Sequence, residues 1–70
     1  MTDTELLKKK INESGLRFNF IAEKLGLSRS GLYQKINGNN EFTQSEIVKL
    51  CEILNIKSIQ ERQVIFFKRD

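Results

Sequence analysis

FNFIAEKLGLSRSGLYQKING, residues 18–38, decides how this chain folds, because it reads as two short helices joined by a tight turn. Phe18, Ile21, Ala22 and Leu25 stand at relative positions 0, 3, 4 and 7, an apolar stripe with the period of an α-helix. Gly26 follows the last of them. A glycine there can take the left-handed conformation that closes a helix C-terminus, and Leu27 supplies an apolar plug for the turn. Ser28 is a good N-cap for a second helix running to about Asn37, with Gly38 as its stop.

In that second helix Leu32 and Ile36, four apart, point inward, and Arg29, Ser30, Tyr33, Gln34 and Asn37 gather on the opposite side. None of the five is an acid. Any surface helix shows a polar face, so the face alone decides little. Here it is joined to a small residue four before Gly26, an apolar plug, an N-cap serine and an inner apolar pair. Hydrogen-bonding, amphipathic and cationic groups in the leading turns of such a helix can reach base edges and phosphates in the major groove of DNA.

Ile21-Ala22-Glu23-Lys24-Leu25-Gly26-Leu27-Ser28, followed by Leu32, Ile36, Asn37 and Gly38, resembles the Cro/C1-type, or lambda-repressor-like, helix-turn-helix proteins. With further helices on either side, the resemblance covers roughly residues 4 to 66. It implies an all-α fold, a compact five-helix bundle whose second and third helices form the helix-turn-helix. It also implies that Arg29, Ser30, Tyr33 and Gln34 enter the major groove as base contacts and that Asn37 meets a backbone phosphate. Some members of the family are antitoxins or protein-binding adaptors, so the pattern specifies fold more narrowly than function.

Two stretches depart from the family's pattern. Relatives often carry Thr-Gln at the first turn of the earlier helix, the Gln holding a phosphate, where this chain has Arg17-Phe18. Arg17 and Asn19 are the groups left to replace that contact. The loop Gly38-Asn39-Asn40-Glu41 is less basic than in many relatives, so phosphate binding there falls to Asn39, Asn40 and Thr43 and to backbone N–H groups.

Composition sets the outer limits. Seventy residues make one domain with a small core, in which nearly every apolar residue at helical spacing is needed for stability. Zero prolines and 39% hydrophobic residues suit a helical bundle. With no signal-like segment and no long apolar run, the expectation is a cytoplasmic protein without membrane contact. The net charge of +3, from 12 basic and 9 acidic residues, leans mildly toward polyanions and supports nucleic-acid binding only together with the motif.

Taken in order, the chain predicts helices near residues 3–14, 18–25, 28–37, 44–54 and 59–66. Thr2-x-x-Glu5 has the capping-box pattern and starts the first, with Leu7 and Ile11 as its buried edge. Lys8, Lys9 and Lys10 spread around the helix wheel and read as solvated surface rather than one basic patch. Phe42 is the expected anchor of the loop after the third helix, and Thr43-x-x-Glu46 is a second capping box. Ile47, Leu50, Cys51 and Leu54 form the stripe of the fourth helix, which makes Cys51 a small core residue rather than a redox sensor. Ser58-x-x-Glu61 is a third capping box.

Val64-Ile65-Phe66-Phe67 is the unusual segment, because four consecutive apolar residues cannot all face one side of one helix. Either two of them are buried and the others cover a partner, or the segment is extended and pairs with something; the plainer alternative is that Ile65 and one phenylalanine simply close the bundle. Lys68-Arg69-Asp70 is a charged tail expected to fray.

An enzyme is the class these residues argue against. The sequence holds no histidine, a single cysteine, no glycine-rich phosphate loop and no convergent acid–base set. No cofactor, metal or small-molecule ligand is expected. Two functions remain. One is a sequence-specific regulator of transcription on double-stranded DNA, of the phage or mobile-element repressor or Cro-like kind, working as a homodimer through Val64–Phe67. The other is a protein-interaction module on the same fold, antitoxin- or antirepressor-like, that uses the same segment.

Overall fold

The first helix begins where a side chain can satisfy its open N–H groups, and that residue is Asp3 rather than Thr2. In the computed structural model, which describes residues 1–68, the Leu6 N–H donates to Asp3 Oδ1 at 3.1 Å and α1 runs Thr4–Ser14. Thr2 is buried instead. The chain beside it is held to the far end of the molecule, with the Asp3 N–H donating to the Ile65 carbonyl at 2.6 Å and the Lys68 N–H to the Met1 carbonyl at 2.7 Å. Asp3 is therefore backbone-paired to the last helix and Met1 to Lys68 just beyond it, and the expected Thr2 capping box does not form.

The remaining helices are α2 Phe18–Leu25, α3 Arg29–Ile36, α4 Gln44–Ile53 and α5 Ile59–Phe66, each within two residues of its sequence-based span. The described residues form five helices and no strand, the all-α bundle that the pattern implied. Gly26 adopts φ +70°, and the Leu27 N–H reaches back to the Ala22 carbonyl at 2.9 Å while the Gly26 N–H reaches Glu23 at 3.1 Å. This pair of reversed hydrogen bonds ends α2 abruptly. Asn55, at φ +59°, closes α4 by the same device, with the Ile56 N–H on the Cys51 carbonyl at 2.8 Å.

The capping boxes divide by what else their acids touch. Thr43 and Glu46 form the full reciprocal box at the start of α4. Ser58 accepts from the Glu61 N–H at 3.2 Å, but the Glu61 carboxylate turns to Lys10 on α1, 2.6 Å away. The third box is thus half made, and its acid ties α5 to α1.

Leu7, Ile21, Leu32, Leu50 and Ile65 are fully buried at the centre of one core, to which Phe42 and Cys51 also belong. Phe42 pins its loop by meeting Phe66 edge-on, centroids 5.8 Å apart and planes at 86°. That contact corrects the reading of residues 64–67 as one interface. Ile65 and Phe66 are 0% and 2% exposed, whereas Val64 and Phe67 are 57% and 38% exposed. Successive helical residues turn by 100°. The middle two wedge into the core, and the flanking two are left outside.

Candidate nucleic-acid interface

α3 is held from both ends, so its outer face is rigidly presented. At its start Ser28 caps the helix, the Gly31 N–H donating to Ser28 Oγ at 3.0 Å. Leu32 and Ile36 are buried against the core along its inner side. At its end the Asn39 N–H donates to the Gln34 carbonyl at 2.9 Å. Lys35 reaches Glu46 of α4 at 2.5 Å, and both side chains are largely shielded from solvent.

Arg29, Ser30, Tyr33, Gln34 and Asn37 are all exposed, on the outer side of α3 as the pattern implied. They are not equivalent. Tyr33 stacks on Phe18 of α2, centroids 4.2 Å apart and planes 29° from parallel. The Arg29 guanidinium carbon lies 5.8 Å from the Phe18 ring and 5.9 Å from the Tyr33 ring, within cation–π range of each. Arg29 also donates a long hydrogen bond, 3.4 Å, to Asn19 Oδ1. Gln34 Oε1 accepts from Asn40 Nδ2 at 2.8 Å, which leaves the Gln34 amide N–H₂ for an incoming acceptor.

The expected phosphate ligands separate more sharply. Arg17 occupies the N-cap position of α2 without a side-chain hydrogen bond to the helix, and the first turn of α2 carries no acid. Its open N–H groups and positive helix end suit a phosphate. Asn37, Asn39 and Asn40 are exposed beside the C-terminal end of α3. Thr43 closes the α4 cap: its N–H donates to Glu46 Oε1 at 2.9 Å and its hydroxyl accepts from the Glu46 N–H at 3.2 Å, which leaves the hydroxyl's own O–H to donate.

Sequence reading missed two features of this face. Phe18 was one member of an apolar stripe, yet it is only half-buried and packs against α3. The Lys35–Glu46 pair joins helices eleven residues apart in the chain, and only the second capping box hinted that Glu46 had a fixed position. A groove of about 460 Å³ runs beside the same face, lined by Lys8, Ile11, Asn12, Phe18, Tyr33 and Asn37 among others.

A family model described as helix-turn-helix matches residues 7–61 of the chain. The chain belongs to the Cro/C1-type helix-turn-helix family. Its matched segment contains the whole α2–turn–α3 unit and α4, so this Cro/C1-type protein is a DNA-binding regulator built on that unit. No curated protein and no solved structure matches it significantly. Among the described residues no group of three or more histidine, cysteine or acidic side chains could hold a metal ion, and no helix is long and apolar enough to cross a membrane.

Proposed function

We propose that this protein is a sequence-specific regulator of transcription, of the repressor or Cro-like kind, that lays α3 in the major groove of double-stranded DNA. The observation that carries the reading is the acid-free outer face of α3, with Arg29 at its leading turn and Ser30, Tyr33 and Gln34 beside it. In this reading Arg29 pairs with guanine, Gln34 gives its amide N–H₂ to a purine acceptor, and Ser30 and Tyr33 add base or sugar contacts. Arg17 and the open N-terminus of α2 take one phosphate, and Asn37, Asn39 and Asn40 take the next stretch of backbone.

One module reads few base pairs, so useful affinity calls for a homodimer on a two-fold symmetric operator, its half-sites about 10 base pairs apart. Val64 on the last helix and Phe67 just past it serve as the seam, and Ile59, 70% exposed, lies on the same helix. Ile59, Gln60, Gln63, Val64 and Phe67 form an outward, uncharged stripe on and just past α5. A self-complementary two-fold contact suits such a stripe, because like charges never face each other across the axis. The same stripe favours the second reading, a protein-interaction module that binds a different chain there.

Selection of bound sequences from a random duplex pool, at about 100 mM salt to suppress purely electrostatic binding, tests the proposal. A two-fold symmetric motif is the expected result. Arg29→Ala is expected to weaken binding to that motif by about 1–3 kcal/mol with the melting temperature unchanged. Salt-sensitive binding without enrichment would reject the DNA-reading role and leave the protein-partner reading.

A further inference from the structure

Three contacts converge on Arg29 from its neighbours, and two of the three come from α2. Asn19 Oδ1 accepts from its guanidinium. Its guanidinium carbon lies at nearly equal distances, 5.8 and 5.9 Å, from the Phe18 and Tyr33 rings, and since those two rings are themselves stacked it sits beside the pair. An arginine is a long side chain with about 0.5–1.5 kcal/mol of freedom to lose when a contact immobilises it. The planar fork of its guanidinium stacks on aromatic faces while keeping its remaining N–H groups directed at an acceptor pair. Only part of its donor set is used by Asn19, since a guanidinium carries five N–H groups.

We infer that Asn19 and Phe18 are positioning residues for base specificity, holding Arg29 in one orientation before DNA arrives so that it selects guanine. The inference rests on the DNA reading proposed above. It also reassigns Asn19, which the sequence pattern offered as a phosphate ligand. Preset in this way, Arg29 loses little further freedom on binding, and a wrong base leaves its charged donors unpaired. Tyr33 belongs to the same assembly: its ring stacks on Phe18 and lies as close to Arg29 as Phe18 does, so its contribution to discrimination passes partly through that residue.

The test uses the full chain and the operator recovered by selection, with relative affinities for that duplex and for duplexes altered one base pair at a time. Arg29→Ala is expected to abolish the preference for one guanine. Asn19→Ala and Phe18→Leu are expected to reduce it at that base pair about 2- to 10-fold, the range for freeing one rotamer-rich side chain, with preferences elsewhere and affinity for unrelated duplexes unchanged. In the Arg29→Ala background, Asn19→Ala is expected to add nothing, since residues acting through one another are not additive. A phosphate ligand behaves otherwise: its loss weakens every duplex alike, and that result overturns the inference.

A second measurement needs no DNA. Relaxation of the Arg29 guanidinium Nε resonance in the free protein is expected to show restricted motion that Asn19→Ala increases. If Arg29 is already as mobile as Arg17 in the unaltered protein, the presetting is refuted even where the DNA reading stands. Failure of the unaltered protein to select any sequence would instead remove that reading and this inference with it.

Discussion

Glu46→Gln tests the joint that fixes the end of α3 to the start of α4. Glu46 Oε1 accepts from two donors at once, the Thr43 N–H at 2.9 Å and Lys35 Nζ at 2.5 Å. The Lys35 and Glu46 side chains are 16% and 13% exposed. A fully exposed ion pair contributes under about 1 kcal/mol, and breaking a fully buried one costs roughly 3–5 kcal/mol. This pair lies between. Glutamine keeps an acceptor for Thr43 and removes the charge from Lys35, whose flexible stem can carry its ammonium to water. The expected loss is therefore about 1–2 kcal/mol, and at about 4–8 °C per kcal/mol for a domain of this size the melting temperature should fall by roughly 4–16 °C.

The pH dependence gives a sharper readout than the shift itself. Burial is the largest single influence on Glu46 and pushes its pKa up, but the hydrogen bonds from Lys35 and Thr43 and the lysine charge together outweigh it, and the pKa lies below the usual 4.5. A carboxylate depressed on folding stabilises the protein above its unfolded pKa, and that stability is lost as pH falls through the folded value. Thermal melts followed by circular dichroism from neutral pH down to below the carboxylate range should show the gap between the unaltered protein and Glu46→Gln closing as acid protonates Glu46. A gap under about 2 °C at neutral pH, below the smallest shift expected for this domain, or one that does not narrow in acid, would refute the account of this joint.

The end of α5 separates core from surface within two residues. Phe66→Ala should cost about 3–5 kcal/mol, against a total stability of roughly 4–10 kcal/mol for 70 residues, and leave much of the chain unfolded in urea titrations. Phe67→Ser should leave the fold intact and, if the stripe is the homodimer seam, shift the protein to monomer in sedimentation. Gly31→Ala should stabilise the protein by about 0.5–1 kcal/mol through helix propensity, measured as a raised melting temperature. The added Cβ would stand 3.1 Å from Ser28 Oγ, a contact that a slight lengthening of the 3.0 Å cap bond relieves. Glutamates at the matching position of α4 and α5 coexist with caps of 3.2 Å.

The helix-turn-helix was legible because its signals are local. The stripe Ile21, Ala22 and Leu25, the left-handed Gly26 and the Ser28 cap act within one or two helical turns, and each appears in the structure where its spacing put it. Cys51 in an apolar stripe and Phe42 at a loop's end were readable for the same reason. Thr2 misled because a capping motif was matched without knowing that Asp3, one residue on, could use its own carboxylate while the terminus paired with α5.

By itself, the sequence determined five helices, their order and ends, and the polar, acid-free side of α3. Periodicity and capping are properties of neighbouring residues, so they need no knowledge of what lies across the core. Only the tertiary structure decided that Ile65 and Phe66 are core while Val64 and Phe67 are surface, and that Glu61 and Glu46 answer lysines on other helices. It also brought Phe18 and Asn19 against Arg29 and Tyr33. Those partnerships span ten or more residues of chain, and they depend on the angle at which two helices pack, which is set by the shape of the whole core rather than by any local pattern.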